Sequence, residues 1–247
     1  MTTWEKLLNI KAERGAGFFI LIDPDKQSLE EGIKLAVEAE KEDADGIFIG
    51  GSLLSTSIFN NLIKSIKEHI QIPVIIFPGG VQQVSPYADA ILFMSVISGR
   101  NADLLIGQHV MAAPIVKMSG LETIATGYML IESGKVTSVE FMSNTKPIPR
   151  DKTDIAVAHG LAAEFLGMKL LYLEAGSGAV HPVPDEMIAG MANICNLPMI
   201  VGGGIKTPEI ARQKVKAGAS FIVTGNVLEE NRNNGMIAEF AQAIHIR

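Results

Sequence analysis

The chain has 247 residues, 47% hydrophobic and 19% charged, enough for a sizeable core and the wrong composition for a disordered protein. Its net charge is −6 with no Lys/Arg-rich run. That excludes nucleic acid as the main partner but leaves phosphorylated small molecules, which backbone amides can hold without cations.

Cys195 is the only cysteine, so neither an intrachain disulfide nor a cysteine metal cluster can form, and it reads as a small buried residue. The opening "MTTWEKLLNIKAERGAG" lacks an apolar signal core, and Trp4 reads as packing an opening helix. No apolar run approaches the roughly eighteen residues of a membrane span. The expectation is a soluble, cytoplasmic protein without a membrane span.

Strand-like runs follow in "FFILID" (18–23), "GIFIG" (46–50), "VIIFPG" (74–79) and "AILFMS" (90–95). Four more are "TGYMLIE" (126–132), "LLYLE" (170–174), "PMIVG" (198–202) and "FIVTG" (221–225). Several are apolar throughout, as parallel strands covered on both faces require. Helical periodicity fills 28–42, 55–69, 102–118, 153–167, 184–195, 207–217 and 234–245. This alternation predicts one α/β domain over 1–247, a (β/α)8 TIM barrel, with an open doubly wound sheet as the rival.

Two irregularities stand out. The connection "GVQQVSPYAD" between the third and fourth strands is short for a helical crossover and contains a proline, so the third helix is expected to be missing or replaced by a loop. After the fifth strand, "SGKV" leads into the β-like "VTSVEF", which predicts a hairpin extending past the barrel.

In such a barrel, function sits on the loops after the strands' C-terminal ends. These ends read "LIDPDK", "FIGGSLL", "IFPGG", "YLEAGSGAV", "IVGGGIK" and "IVTGNVL". A turn requirement explains any one glycine here, and explains the set less well. In "MIVGGGIKTPEI" (199–210), three glycines precede Thr207 as an N-cap and Pro208 as a first helical residue. Strand, bare backbone and helix N-terminus in succession suit an anion, or else simply a tight turn.

Tyr172 and Glu174 share one strand face, while Leu171 and Leu173 take the other. If the leucines meet the helices, Glu174 points into the barrel top, where it needs either substrate hydroxyls or a cation such as lysine. Across the mouth, Asp23 is in register with Phe19 and Leu21, Asp25 follows it, and Ser52 ends the second strand. A carboxylate with hydroxyls and water suits Mg²⁺; Asp23 also serves as a turn-former before Pro24. His69, His109, His159 and His245 read as structural or solvent-facing, and His181 as setting a loop path.

The motifs "LIDPDK", "IGGS", "YLEAGSGA", "VGGGI" and "TGN", in this order and spacing, resemble those of the geranylgeranylglyceryl phosphate synthases, especially their longer subgroup. The resemblance covers essentially the whole chain. It implies a TIM barrel with its third helix replaced, and Mg²⁺-dependent transfer of a polyprenyl group from a prenyl diphosphate to the C3 hydroxyl of sn-glycerol 1-phosphate, in ether-lipid synthesis. It assigns Mg²⁺ to Asp23 and Ser52. It assigns glycerol 1-phosphate to Tyr172, Leu173, Glu174, Ala175, Gly176, Ser177 and Gly178, to Gly203 and Gly204, and to Gly225 and Asn226. Glu174 would orient the hydroxyl and take its proton, with Tyr172 bracing the glycerol. A homo-oligomer is implied too.

The sequence departs from the family where some relatives place a lysine before the strand-one "D-P" (here Leu21 and Ile22), and in "RNADLLIG", where many longer relatives carry aromatic residues. The alternatives are a sugar-phosphate isomerase or lyase using the same cradle, which would need an acid–base partner such as Glu132 turned inward, and a non-catalytic binder of phosphorylated lipids.

Overall fold

Short runs too apolar to face water on either side pair in sequence order: β1 (Gly17–Ile22), β2 (Gly46–Ile49), β3 (Val74–Ile76), β4 (Ala90–Val96), β5 (Glu122–Leu130), β6 (Leu170–Glu174), β7 (Met199–Gly202) and β8 (Phe221–Thr224). All neighbours are parallel, and β8 closes onto β1, with Gly17 opposite Phe221. This computed structural model describes residues 1–225, 227 and 235–246. The closed ring is the expected TIM barrel and removes the open-sheet rival.

Around it lie α2 (Leu29–Lys41), α3 (Phe59–His69), α4 (Gln108–Ser119), α6 (Thr153–Phe165), α7 (Asp185–Ile194), α8 (Pro208–Ala217) and α9 (Met236–Ile244). The helix before β1, α1 (Thr3–Arg14), starts with a capping box between Thr2 and Glu5 and sends Leu7 into the barrel's lower end. Glu122 fixes it there by accepting the amides of Thr3 (2.6 Å) and Trp4 (3.1 Å). Among the described residues, no helix is long and apolar enough to cross a membrane.

Strand alternation separates two cores. Phe18, Ile20, Leu171 and Leu173 face the helices, while Phe19, Phe48, Tyr172 and Phe221 fill the barrel. Inside, Phe19 stacks on Phe48 with ring centroids 4.9 Å apart. Above them Phe77 stacks on Tyr172 at 4.9 Å, with Tyr128 beside it at 5.5 Å. Each such side chain stabilises the fold by roughly 1.5–3 kcal/mol on full burial, so packing alone makes this upper layer a firm floor for whatever sits above it.

The third helix is absent, as expected: residues 77–89 cross from β3 to β4 as turns. The hairpin after β5 is not formed. "SVEFMS" is instead a short helix, α5 (Ser138–Ser143), and only an isolated parallel bridge, Ile131 with Ile148, continues the ladder. The alternation in "VTSVEF" has no partner strand to satisfy, and Val139 of that run and Met142 just after it line the barrel mouth instead. Strand five also begins earlier than the expected 126–132, at Glu122, because residues 122–125 already pair with Ala90–Phe93 of β4. The helix at 102–118 opens as a π-turn, Asp103–Gly107.

Candidate active site

A cavity of about 880 Å³ opens at the C-terminal ends of the strands. Its walls differ in chemistry. The β6–β8 side carries Gly176, Gly178, Gly203, Gly204 and Gly225; the β1–β2 side carries Asp23, Lys26 and Ser52; the side toward α4 and α5 carries Met111, Ala112, Val116 and Met142, with Asp103, Gln108 and His109 at its start.

Strand six fixes the polar centre. Leu171 and Leu173 pack outward, so Tyr172 and Glu174 point in. Glu174 is only 7% exposed and accepts the Gly176 amide at 2.5 Å. Burial pushes its carboxyl up to about 7, against the opposing pull of the Gly176 amide and the Tyr172 hydroxyl. No lysine or arginine pairs with it among the described residues. The structural cation that the sequence left open as a partner is therefore not found among the described residues. Burial, and then the charge of Glu174, hold the Tyr172 and Tyr128 phenols well above their usual range, so both stay neutral. The buried Tyr172 oxygen finds no well-formed hydrogen bond elsewhere.

The glycines are required by close approach as well as by turns. Gly203 has φ +80°, and a β-carbon there would run into the Glu174 carboxylate and lie 2.6 Å from the Gly176 nitrogen. The β6 and β7 turns therefore touch backbone to backbone beneath the cavity. Thr207 caps α8 as expected, accepting from Ile210 N at 3.3 Å, with Pro208 following. Lys214 of α8, itself buried, reaches Asp185 at the start of α7 at 2.5 Å and locks together the two helices behind the cradle.

Not every expected residue reaches the cavity. Leu173 and Ala175 turn their side chains into the packing between barrel and helices, and Ala175 N bonds Gly202 O. Asn226 lies outside the described residues. Glu132 accepts Gly134 N at 2.8 Å within its own loop, so strand five offers no inward acid and the isomerase alternative loses its second group. His181 is exposed and away from the cavity lining, whereas His109, expected to be structural or solvent-facing, lines it, edge-on to Phe93 at 4.7 Å. Burial lowers the His109 pKa, which favours its neutral form.

Across the mouth, Asp23 and Asp25 divide their work. Asp25 accepts the Ser55 and Thr56 amides at 2.8 and 2.9 Å and is committed to the loop. Asp23 accepts Asp25 N at 3.1 Å, stands 3.7 Å from Lys26 Nζ, and is 21% exposed beside Ser52. No three carboxylate, histidine or cysteine side chains converge among the described residues. One carboxylate and a hydroxyl at an open rim match a Mg²⁺ ion that takes most of its remaining ligands from water and substrate phosphate. The residues that sequence reasoning missed are Phe77 and Tyr128 beneath the cavity and Met111 and Met142 beside it. Tyr128 was findable, because it pairs directly with Tyr172 across β5 and β6.

A closed parallel barrel with amide-lined turns on three neighbouring strands and a carboxylate buried between them defines a TIM-barrel enzyme acting on a phosphorylated substrate. Comparison with known proteins narrows this: the chain belongs to the PcrB family, whose pattern matches residues 8–244. It is 47% identical to the geranylgeranylglyceryl phosphate synthase of Chitinophaga pinensis, over 98% of this chain and 95% of the relative. It is 45% identical to the enzyme of that name from Methanosphaera stadtmanae, over 98% and 99%. The crystal structure of (S)-3-O-geranylgeranylglyceryl phosphate synthase from Thermoplasma acidophilum, in complex with its substrate sn-glycerol-1-phosphate, superposes with a TM-score of 0.94 at 34% identity, covering 99% of both chains.

Proposed function

We propose that this chain is a Mg²⁺-dependent prenyltransferase that joins the geranylgeranyl group of a polyprenyl diphosphate to the C3 hydroxyl of sn-glycerol 1-phosphate in ether-lipid synthesis. The observation that carries the reading is the unpaired, buried Glu174 between the amide-lined turns of β6, β7 and β8. The glycerol phosphate complex of the Thermoplasma acidophilum relative supports sn-glycerol 1-phosphate as the acceptor.

The chain's own groups divide the reaction. The glycine turns and the N-terminus of α8 hold the phosphate through amides and the helix dipole. Glu174, with its carboxyl near pH 7, is ionised in a large fraction of molecules at neutral pH and takes the C3 hydroxyl proton as the new C–O bond forms. The bond from prenyl C1 to the diphosphate oxygen breaks in the same event, and the diphosphate leaves toward Asp23, Ser52 and Lys26. Mg²⁺, when bound at Asp23 and Ser52, supplies charge compensation to the departing diphosphate. The wall of Met111, Ala112, Val116 and Met142 suits the apolar tail. Holding both reactants in line removes up to ~7–11 kcal/mol of the barrier in favourable cases. Exposed Val110, Ile115 and Met118 on α4 support a homo-oligomer, for which sedimentation above the 26.5 kDa of one chain is expected.

The test is incubation with labelled sn-glycerol 1-phosphate, Mg²⁺ and prenyl diphosphates of several lengths. The expected result is an ether-linked prenylglyceryl phosphate and released diphosphate. Tight binding of both compounds without product would leave a lipid-phosphate binding protein, and interconversion of a sugar phosphate would leave an isomerase.

A further inference from the structure

The connection that replaces the third helix carries a side chain the reaction has not yet used. Gln83 is fully buried in it, at 0% exposure, and its backbone closes a turn onto Gly80 O at 3.1 Å. Its carboxamide reaches the loop after β2: Nε2 donates to Gly51 O at 2.8 Å and Oε1 accepts Gly51 N at 3.4 Å. One side chain thus imitates the next rung of a β-ladder just where β2 and β3 have stopped pairing, after Ile49 and Ile76.

The peptide it grips is tightly enclosed. A β-carbon on Gly79 would strike Gly51 O, and one on Gly50 would strike Phe77 O, so these backbones pass at contact distance. On its other side Gly51 abuts Asp23, whose Oδ1 lies 2.9 Å from where a Gly51 β-carbon would stand. Ser52 follows immediately in the chain. Without the carboxamide, a half-buried amide and carbonyl lose their partner, a cost that the loop relieves by moving toward water.

We propose that Gln83 is a positioning residue for the diphosphate end of the cavity: its carboxamide holds Gly51 so that the Ser52 hydroxyl stays in register with the Asp23 carboxylate. Gln83 acts through the loop and touches no reacting atom. The glycerol phosphate turns belong to β6–β8 across the barrel, so they do not depend on it. The inference rests on the reading of Asp23 and Ser52 as the Mg²⁺–diphosphate site.

The experiment is calorimetric titration of the full-length wild type, Gln83→Met and Gln83→Glu with two probes, inorganic pyrophosphate in the presence of Mg²⁺ and sn-glycerol 1-phosphate. Gln83→Met removes both hydrogen bonds at similar length. Gln83→Glu keeps the acceptor and loses the donor, and it serves if the first variant does not fold. Each variant is expected to bind Mg²⁺–pyrophosphate about tenfold more weakly while its glycerol phosphate affinity stays within about twofold. Unchanged pyrophosphate binding, or equal weakening of both probes, overturns the role of Gln83 alone. A wild type that binds pyrophosphate no better with Mg²⁺ overturns the Asp23–Ser52 reading and the inference with it.

Discussion

The two polar sides of the cavity are built in opposite ways. On β6–β8 the backbone does the work: the β6 and β7 turns carry glycines at positive φ and touch each other, Gly225 lines the cavity after β8, and Glu174 is buried with no cation to pair it among the described residues. On β1–β2 the work falls to side chains at an open rim, with Asp23 partly exposed, Lys26 within 3.7 Å of it, and Asp25 and Gln83 spent on holding the loop. Fixed dipoles suit a small anion that must be placed accurately for attack. Charged groups at a wet rim suit a larger anion that arrives with its own metal and must also depart. The difference suggests that accuracy is invested in the nucleophile, and adaptability in the leaving group.

The strongest way to break this contrast is to remove the one charge from the accurate side. Glu174→Ala is expected to lower kcat by about 10³-fold or more with the fold intact by circular dichroism, because the other carboxylates lining the cavity, Asp23 and Asp103, do not belong to the β6–β8 side. Turnover near that of the wild type would remove Glu174 from the chemistry.

A stability measurement sharpens the same point. Folding raises the Glu174 carboxyl from 4.5 to about 7, so the folded state favours its protonated form. That contribution is fully present below about pH 4.5 and is lost as pH rises through about 7. Glu174→Gln is therefore expected to gain about 3 kcal/mol over the wild type in urea unfolding at pH 8, with the gap closing by pH 4.5. A gap that does not change with pH would mean that the carboxylate is not strained by burial. The smallest effect belongs to the helix behind the cradle. Thr207→Ala removes the bond from Ile210 N and should cost about 1 kcal/mol in stability, with a modest loss of glycerol phosphate affinity and none of Mg²⁺ affinity.

The cradle was largely legible because its requirements are local. "GGG" before "KTPE" writes close approach and capping into adjacent residues, and the two-residue offset of Tyr172 and Glu174 fixes their face once Leu171 and Leu173 are seen to be apolar. The opposite side was legible only in part. Asp23 follows from register with Leu21, but Gln83 acts on a peptide 32 residues earlier, and nothing near "GVQQVS" signals that contact. The segment "VTSVEF" misled because alternation alone does not reveal whether a partner strand exists, and tertiary packing chose the helix that covers the mouth. Leu173 and Ala175 belong to the motif by sequence, yet they serve the outer core through their side chains.

The most direct test of this division is a crossed titration of Gly203→Ala and Asp23→Asn, each against sn-glycerol 1-phosphate and against Mg²⁺–pyrophosphate. A methyl at Gly203 drives into Glu174 and the Gly176 amide, so that variant should lose glycerol phosphate binding and keep Mg²⁺–pyrophosphate, while Asp23→Asn should do the reverse. If both variants lose the same ligand, or Gly203→Ala still binds glycerol phosphate as the wild type does, the two sides do not divide the substrates as described.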